Sequence, residues 1–144
     1  MAFKHGKNTV FKIDDSGGGS LTDVSQYIDN VSGLPGEKAL AEVTAFGDSG
    51  TRNIPGLFNA TVEVSGHWDP TASTGPDAIF NALFEEETST ASFEYGPGGS
   101  TTGAVKYSGE CWVSNYTITS AVAEKVSFSA SIQVDGVVTR GTFA

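Results

Sequence analysis

The residues of this chain that are best suited to chemistry are few and poorly spaced for catalysis. Residues 47–50 read Gly-Asp-Ser-Gly, the string around the nucleophile in one class of serine proteases, but Thr51 stands where that motif has another glycine. A serine nucleophile needs a positioned histidine base, and the only histidine upstream is His5. We therefore predict that the protein is not an enzyme.

Metal and thiol chemistry are supported no better. His67 and Asp69 share one face of a predicted strand, but the chain has two histidines and one cysteine, so a metal site would lack ligands. Cys111 alternates with apolar residues, which predicts a buried and inert thiol, and a single cysteine excludes an intramolecular disulfide. We expect no metal and no other cofactor.

The elements that carry these residues are predicted to be β-strands. Along residues 126–134, Val126, Phe128, Ala130 and their successors alternate with serines, as expected for a strand with one buried face. Asp135-Gly136 then predicts a two-residue hairpin turn. Similar alternation predicts strands at residues 9–13, 37–46, 58–68, 90–95 and 105–118, the last with a bulge near residues 114–115.

Two further segments complete the predicted fold. Residues 21–31 mix apolar spacing with turn residues and are predicted to be irregular, with a short strand or a single helical turn. A helix over about residues 75–86 is indicated by apolar pairs four residues apart, with Pro76 in its first turn and Thr74 as its N-cap. The predicted fold class is all-β: one domain over residues 1–144, a β-sandwich or barrel of seven to eight mostly antiparallel strands with one flanking helix.

The charge of the chain is negative and uneven. A net charge of −9 disfavours nucleic-acid binding, which needs Lys and Arg for the phosphates. Residues 1–12 contain bases and no acid, and three consecutive acids stand at the negative end of the predicted helix. These charges serve either solubility alone or docking of a basic N-terminal arm on an acidic patch of another copy. The residues are Lys4, Lys7 and Lys12 in the arm and Glu85, Glu86 and Glu87 in the patch.

Residues 47–56 are predicted to form a long, polar, glycine-rich loop between two strands. Loops of this length are usually functional or disordered. The apolar residues Ile54, Pro55 and Leu57 at its end could fold back onto the core of the same chain or insert into a partner.

Several strings in a fixed order resemble those of a known family. Ala45-Phe46-Gly47-Asp48 leads to Ile54-Pro55-Gly56-Leu57, and Val64-Ser65-Gly66-His67-Trp68-Asp69-Pro70 precedes the helix; the likeness is densest at residues 105–111 and 126–143. Through these strings, nearly the whole chain resembles the major tail tube proteins of long-tailed, non-contractile bacteriophages, the siphoviruses.

This resemblance implies a virion structural protein that self-assembles into hexameric rings. Stacked rings would form the tail tube, through whose lumen the genomic DNA is ejected without specific binding. The implied partners are other copies, the tape measure, tail terminator and distal tail proteins, with no membrane; the implied location is the phage tail, and the host cytoplasm during assembly.

The resemblance also assigns residues to three surfaces. The loop would contact the next ring through Asp48, Ser49, Thr51, Arg52, Asn53, Ile54, Pro55 and Leu57. The arm, with Phe3 beside its three lysines, would lock that contact. Acids on polar strand faces are candidates to line the lumen and repel DNA: Glu63, Glu94, Glu110 and Asp135.

A carbohydrate-binding β-sandwich module of a phage tail tip is the alternative function. Trp68, Trp112 and Tyr116 could stack on sugar rings if they shared one surface. Self-assembly of the purified protein would favour the tail tube, and glycan binding by a small discrete species would favour this alternative.

Overall fold

The computed structural model describes residues 3–144, so Met1 and Ala2 of the predicted arm lie outside it. Nine strands and one α-helix form within this range. The elements in chain order are β1 Val10–Asp14, β2 Leu21–Asp23, β3 Ile28–Ser32, β4 Glu37–Glu42, β5 Asn53–Asn59, β6 Thr61–His67, α1 Pro76–Glu85, β7 Ala91–Gly96, β8 Val105–Thr119 and β9 Ser127–Thr142. A turn of 3-10 helix at Ser25–Tyr27 joins β2 to β3, as the mixed signals of residues 21–31 predicted.

Seven strands form one antiparallel sheet in the order β2-β1-β7-β8-β9-β6-β3, and β4 pairs with β5 in a separate two-stranded sheet. This confirms the predicted all-β class with one helix, and the main sheet is open rather than a closed barrel. None of the helical segments in residues 3–144 has the length and apolar character needed to cross a membrane.

The long hairpin of β8 and β9 divides the main sheet into two halves. In one, β6 and β3 continue the sheet beside residues 127–133 of β9; in the other, β7, β1 and β2 continue it beside residues 107–111 of β8. We call these the β6 half and the β7 half. Buried side chains from both halves form one hydrophobic cluster, which includes Val62 and Ile132 from the first and Phe11 and Phe93 from the second.

The sheet rolls around this cluster, because its two outermost strands are joined by a very short connection. Only residues 24–27 lie between the end of β2 and the start of β3, so these opposite edges lie within about 17 Å of each other along an extended chain. The outer faces of the two halves therefore point in different directions.

The helix closes one side of the core and is fixed by a carboxylate. The Phe80 ring lies 5.3 Å from that of Phe128 and 6.3 Å from that of Tyr116, measured between centroids. In the first helical turn, Asp77 Oδ1 accepts hydrogen bonds from Trp68 Nε1 at 3.1 Å and from the Tyr116 hydroxyl at 2.8 Å. The N-cap is Gly75, so the predicted capping by Thr74 is wrong.

Two boundary predictions also fail, while a bulge prediction is confirmed. Asp135-Gly136 makes no hairpin: β9 continues to Thr142, and Gly136, with a φ of 91°, lies where β9 carries extra residues against Gly109 of β8. The alternating segment 58–68 is split at Ala60 between β5 and β6, which belong to different sheets. The predicted bulge near residues 114–115 is confirmed, because the pairing of β8 with β9 shifts between Val113 and Asn115.

Candidate assembly surfaces

The hairpin of β4 and β5 is the most exposed apolar feature of the molecule. All six residues of β4 are exposed, and so are all residues of β5 except Phe58, which packs on the core. Five of the twelve exposed large apolar side chains in residues 3–144 belong to this hairpin: Leu40, Val43, Phe46, Ile54 and Leu57. Apolar surface gathered in this way marks an interaction site.

The tip of the hairpin, residues 43–52, is an ordered turn. The Val43 amide donates to the Arg52 carbonyl at 2.8 Å, and the Arg52 amide donates to Thr44 Oγ1 at 2.9 Å. Asp48 Oδ2 accepts from the Ala45 amide at 2.7 Å, and Asp48 Oδ1 lies 3.7 Å from the Arg52 guanidinium. These bonds present the fully exposed Phe46 at the apex.

The predicted loop over residues 47–56 is therefore too long at its C-terminal end. Asn53, Ile54, Pro55 and Gly56 belong to β5, paired with β4, while Ser49 and Thr51 are exposed in the tip. Pro55 is tolerated because the other edge of β5 is unpaired within the described residues, so no ladder bond is lost there.

Three apolar residues of the hairpin escaped the site prediction: Leu40, Val43 and Phe46. Their sequence signal is weak, because Val43 continues an alternating apolar face with Ala39 and Ala41 and so looks buried, while Leu40 lies on the opposite face; only the pairing with the separate β5 shows that both are exposed.

The four acids predicted to line a lumen are distributed over both halves of the main sheet. Glu63 belongs to the β6 half, where its carboxylate accepts from the Ser131 hydroxyl at 2.8 Å. Glu94 and Glu110 belong to the β7 half, and Asp135 is paired with Glu110 across β8 and β9. Glu63 and Glu94 therefore belong to different halves of the rolled sheet. Glu94 is also bound by Lys106 at 3.1 Å.

The outer face of the β6 half is rich in hydroxyl groups. Glu63 pairs across the sheet with Ser131 and then Asn115, and Ser65 pairs with Ser129 and then Thr117. We call this surface, which also includes Thr61, the serine face. Glu63 is the one acid among these seven residues.

The basic residues predicted to form one arm are separated in the structure. Phe3, Lys4 and Lys7 are exposed, and the Lys4 side chain lies beside Gly98. Lys12 instead belongs to β1, where its Nζ lies 5.7 Å from the centroid of the Phe143 ring. The predicted arm over residues 1–12 is therefore wrong at its C-terminal end, where β1 begins at Val10.

The three glutamates predicted to form one acidic patch also differ in their surroundings. The Glu86 carboxylate accepts from the amides of Thr88 and Ser89, both at 3.0 Å, and the hydrogen bonds from Thr88 lower its pKa. Glu85 and Glu87 are exposed, which leaves two acids of the three directed to solvent at the end of α1.

The other potentially reactive side chains are engaged in hydrogen bonds within the folded chain. Cys111 is buried and donates to the Ala91 carbonyl at 3.3 Å, and burial raises the pKa of its thiol to about 12. Asp69 accepts from the Thr71 amide at 2.8 Å, and hydrogen bonds from Thr71 lower its pKa. No group of three or more His, Cys, Asp or Glu side chains in residues 3–144 is placed to hold a metal ion.

The aromatic residues that could have stacked on sugars do not form a platform. Trp68 and Tyr116 both bind Asp77 and pack against the core, whereas Trp112 pairs with Gln133 on the outer face. The structure therefore separates the three side chains on which the carbohydrate-binding alternative depended.

Comparison with solved structures identifies the fold. The tail of an empty gene transfer agent particle, refined with C6 symmetry, is 14% identical with a TM-score of 0.73, over 97% of this chain and 100% of that one. The SPP1 tail tube is 12% identical with a TM-score of 0.71, over 97% and 81%. The tube-terminating cap of the anti-feeding prophage is 13% identical with a TM-score of 0.69, over 99% and 93%.

Neither a family model nor a curated protein sequence matches the chain. The structural likeness spans almost the whole chain, and it shows that this protein has the fold of tail tube proteins. The resemblance noted in the sequence is thus confirmed at the level of the fold.

Proposed function

We propose that this protein is the structural subunit of a phage-type tail tube, in which six copies form a ring and rings stack into a tube. The observation that carries the proposal is the ordered, apolar hairpin of β4 and β5 on a chain with the tail tube fold. An isolated chain gains nothing from exposing these side chains in a fixed shape, whereas a neighbouring ring would bury them.

Two kinds of contact build the tube in this proposal. Neighbours within a ring pair through the sheet edges at β2 and β3, which have no further partner strand within residues 3–144. Consecutive rings meet through the hairpin, with Leu40, Phe46 and Leu57 buried in the next ring. Contacts of this heterologous kind close in one direction and repeat in the other.

We assign the lumen to the serine face. The hydroxyl and amide groups of this face keep the lumen surface hydrated, and Glu63 repels the DNA phosphates. DNA therefore passes through the lumen without binding. Of the four acids predicted to line a lumen, Glu63 is the one that belongs to the serine face. The proposed subunit is not an enzyme and acts in the virion after assembly in the host cytoplasm. It meets the tape measure protein in the lumen, and terminator and distal tail proteins at the tube ends.

Electron microscopy of the concentrated protein tests the assembly. We expect tubes with six-fold end views from the wild type. Burial of a leucine side chain contributes about 1.5–3 kcal/mol, so Leu57→Ser should raise the concentration at which tubes form at least about tenfold.

Val137→Ser is the matched control, since Val137 is also exposed but lies at the β9 bulge, outside the hairpin. Wild-type protein that stays monomeric at every concentration contradicts the proposed function. Tubes formed equally well by Leu57→Ser and wild type contradict the role of the hairpin.

A further inference from the structure

The two ends of the β7 half carry opposite charges. One end lies where β1 starts and β7 finishes, and it is basic: it contains Lys4, Lys7 and Arg140. The segments that form it have no Asp or Glu; they are residues 3–10, 96–105 and 138–144. At the other end, residues 14–20 and 84–90 contain five acids and no Lys or Arg. We call these the basic end and the acidic end. The six residues of β7 separate them by about 20 Å.

The basic end contains a groove of about 820 Å³. Tyr95, Tyr107 and Pro97 contribute its apolar surface, and the exposed side chains of Lys4 and Arg140 also line it. Neither base forms an ion pair within the described part of the chain. The groove therefore combines an aromatic wall with two cations free to bind an acidic ligand.

The acidic end offers a segment of matching chemistry. Phe84, on the last turn of α1, is 48% exposed, and the exposed Glu85 and Glu87 follow it. Carboxylates at a helix C-terminus are unfavourable, because the helix dipole is negative there. A cationic partner would remove that cost.

We propose that residues 84–87 of one copy dock in the basic-end groove of a second copy. The Phe84 ring packs against the tyrosine wall, while the carboxylates of Glu85 and Glu87 lie near Lys4 and Arg140. The two surfaces lie about 20 Å apart on one chain, so they meet only between copies, and the contact propagates head to tail. This inference rests on the proposed self-assembly, to which it adds a second, charge-dependent contact.

Exchange of charges between copies tests the docking. One variant carries Lys4→Glu and Arg140→Glu, and the other carries Glu85→Lys and Glu87→Lys. Each variant alone presents like charges at both surfaces, so sedimentation velocity at low salt should show self-association at least tenfold weaker than in the wild type. In an equimolar mixture both contacts between unlike copies are complementary in charge, so the mixture should form complexes that dissociate at about 1 M salt, where the screening length is about 3 Å.

Net charge does not explain such complexes, because both variants remain negative: two reversals change the net charge of −9 by four in either direction. The matched control adds Glu124→Lys and Asp135→Lys, at two exposed acids outside the acidic end, to the variant with Lys4→Glu and Arg140→Glu. Mixed with the variant that carries only Lys4→Glu and Arg140→Glu, it should form no salt-sensitive complexes, because both docking surfaces of both variants are then acidic.

The outcomes separate this inference from the proposed function. A mixture that sediments as monomers, or single variants that associate like the wild type, overturns the docking whatever the wild type forms. Complexes in the mixture, with no tubes from the wild type, support the docking and contradict the tail tube. Phe84→Ser should weaken wild-type association without removing its salt dependence, and unchanged association would exclude the ring from the contact.

Discussion

Replacement of Asp77 should destabilise the fold by loosening the packing of the helix on the main sheet. Its carboxylate is the common acceptor for Trp68 Nε1 and the Tyr116 hydroxyl, at 3.1 and 2.8 Å, and it ties the helix to the end of β6 and to β8. Hydrogen bonds to a charged group contribute about 1.5–3 kcal/mol each. Both donors are only partly buried, so the lower value applies, and the acid in the first turn adds about 0.5 kcal/mol.

We therefore expect Asp77→Ala to lower the free energy of unfolding by about 3–4 kcal/mol. Asp77→Asn keeps an oxygen that can accept from one or both donors and should lower it by about half as much. Urea denaturation, followed by tryptophan fluorescence and by circular dichroism, measures both values. Asp69→Ala is the control, because Asp69 lies near the same helix but its side chain bonds only within its own turn, to Thr71.

A double-mutant cycle with Tyr116→Phe separates the shared bond from general disruption. If Asp77 holds the tyrosine hydroxyl, the two changes should be non-additive by at least 1 kcal/mol. A loss below 1 kcal/mol for Asp77→Ala, or strict additivity in the cycle, would refute the claim that this carboxylate fixes the helix.

Two further changes test the backbone and a buried charge. Gly66→Ala should destabilise the protein by about 1–3 kcal/mol, because a methyl group at Gly66 would lie 1.9 Å from the Tyr27 carbonyl oxygen; a thermal midpoint equal to that of the wild type would contradict this close approach. Asp14, 4% exposed, accepts from the Ser92 amide at 2.8 Å, and burial raises its pKa above the usual 3.8. Because the folded-state pKa is the higher one, the contribution of Asp14 to stability should increase as the pH falls from neutral toward 3.8, opposite in sign to the contributions of Asp69 and Glu86. Asp14→Asn should therefore stabilise the protein at pH 7 and lose this advantage over the wild type as the pH falls, and a difference in denaturation midpoint that stays constant or reverses across this range would contradict the role of the buried charge.

Alternation in the sequence was sufficient for strands whose two faces differ in polarity. The predicted strands near β1, β7 and β8 and the helix α1 were located to within a few residues, because a buried face imposes its period directly on the chain. The bulge at Ser114 could be predicted for the same reason, since the apolar phase of the sequence changes there.

The features that the sequence did not predict depend on pairing between strands that are distant in the chain, and local sequence does not determine that pairing. Asp135-Gly136 has the composition of a hairpin turn, yet β8 is long enough to pair with β9 on both sides of it. The positive φ of Gly136 therefore serves a bulge instead of a reversal. Ala60 likewise continues the alternation while the chain passes from one sheet to the other, because a change of sheet needs no change of period.

For the candidate surfaces too, composition could be predicted from the sequence, whereas the spatial grouping of the residues could not. The basic and acidic segments could be recognised in the sequence, but their grouping could not: Lys12 belongs to a strand and Glu86 is bound within its own turn, whereas Arg140 joins Lys4 from the far end of the chain. The four acids could be assigned to polar faces, but the rolling of the sheet decides which of those faces point the same way.

The internal order of the hairpin tip is what makes its apolar residues suitable for assembly. A floppy loop that carried Phe46 would lose much of its binding energy to ordering, at about 1–2 kcal/mol for each backbone residue fixed. Here the amides of Val43, Ala45 and Arg52 are already bonded within the tip, so that ordering has taken place in the single subunit. In the proposed tube, docking would therefore gain the burial of Phe46 and Leu57 with little further loss of backbone entropy. Asp48 accepts one of these bonds and pairs with Arg52, so in that tube it would act by holding Phe46 in place without touching the neighbouring ring.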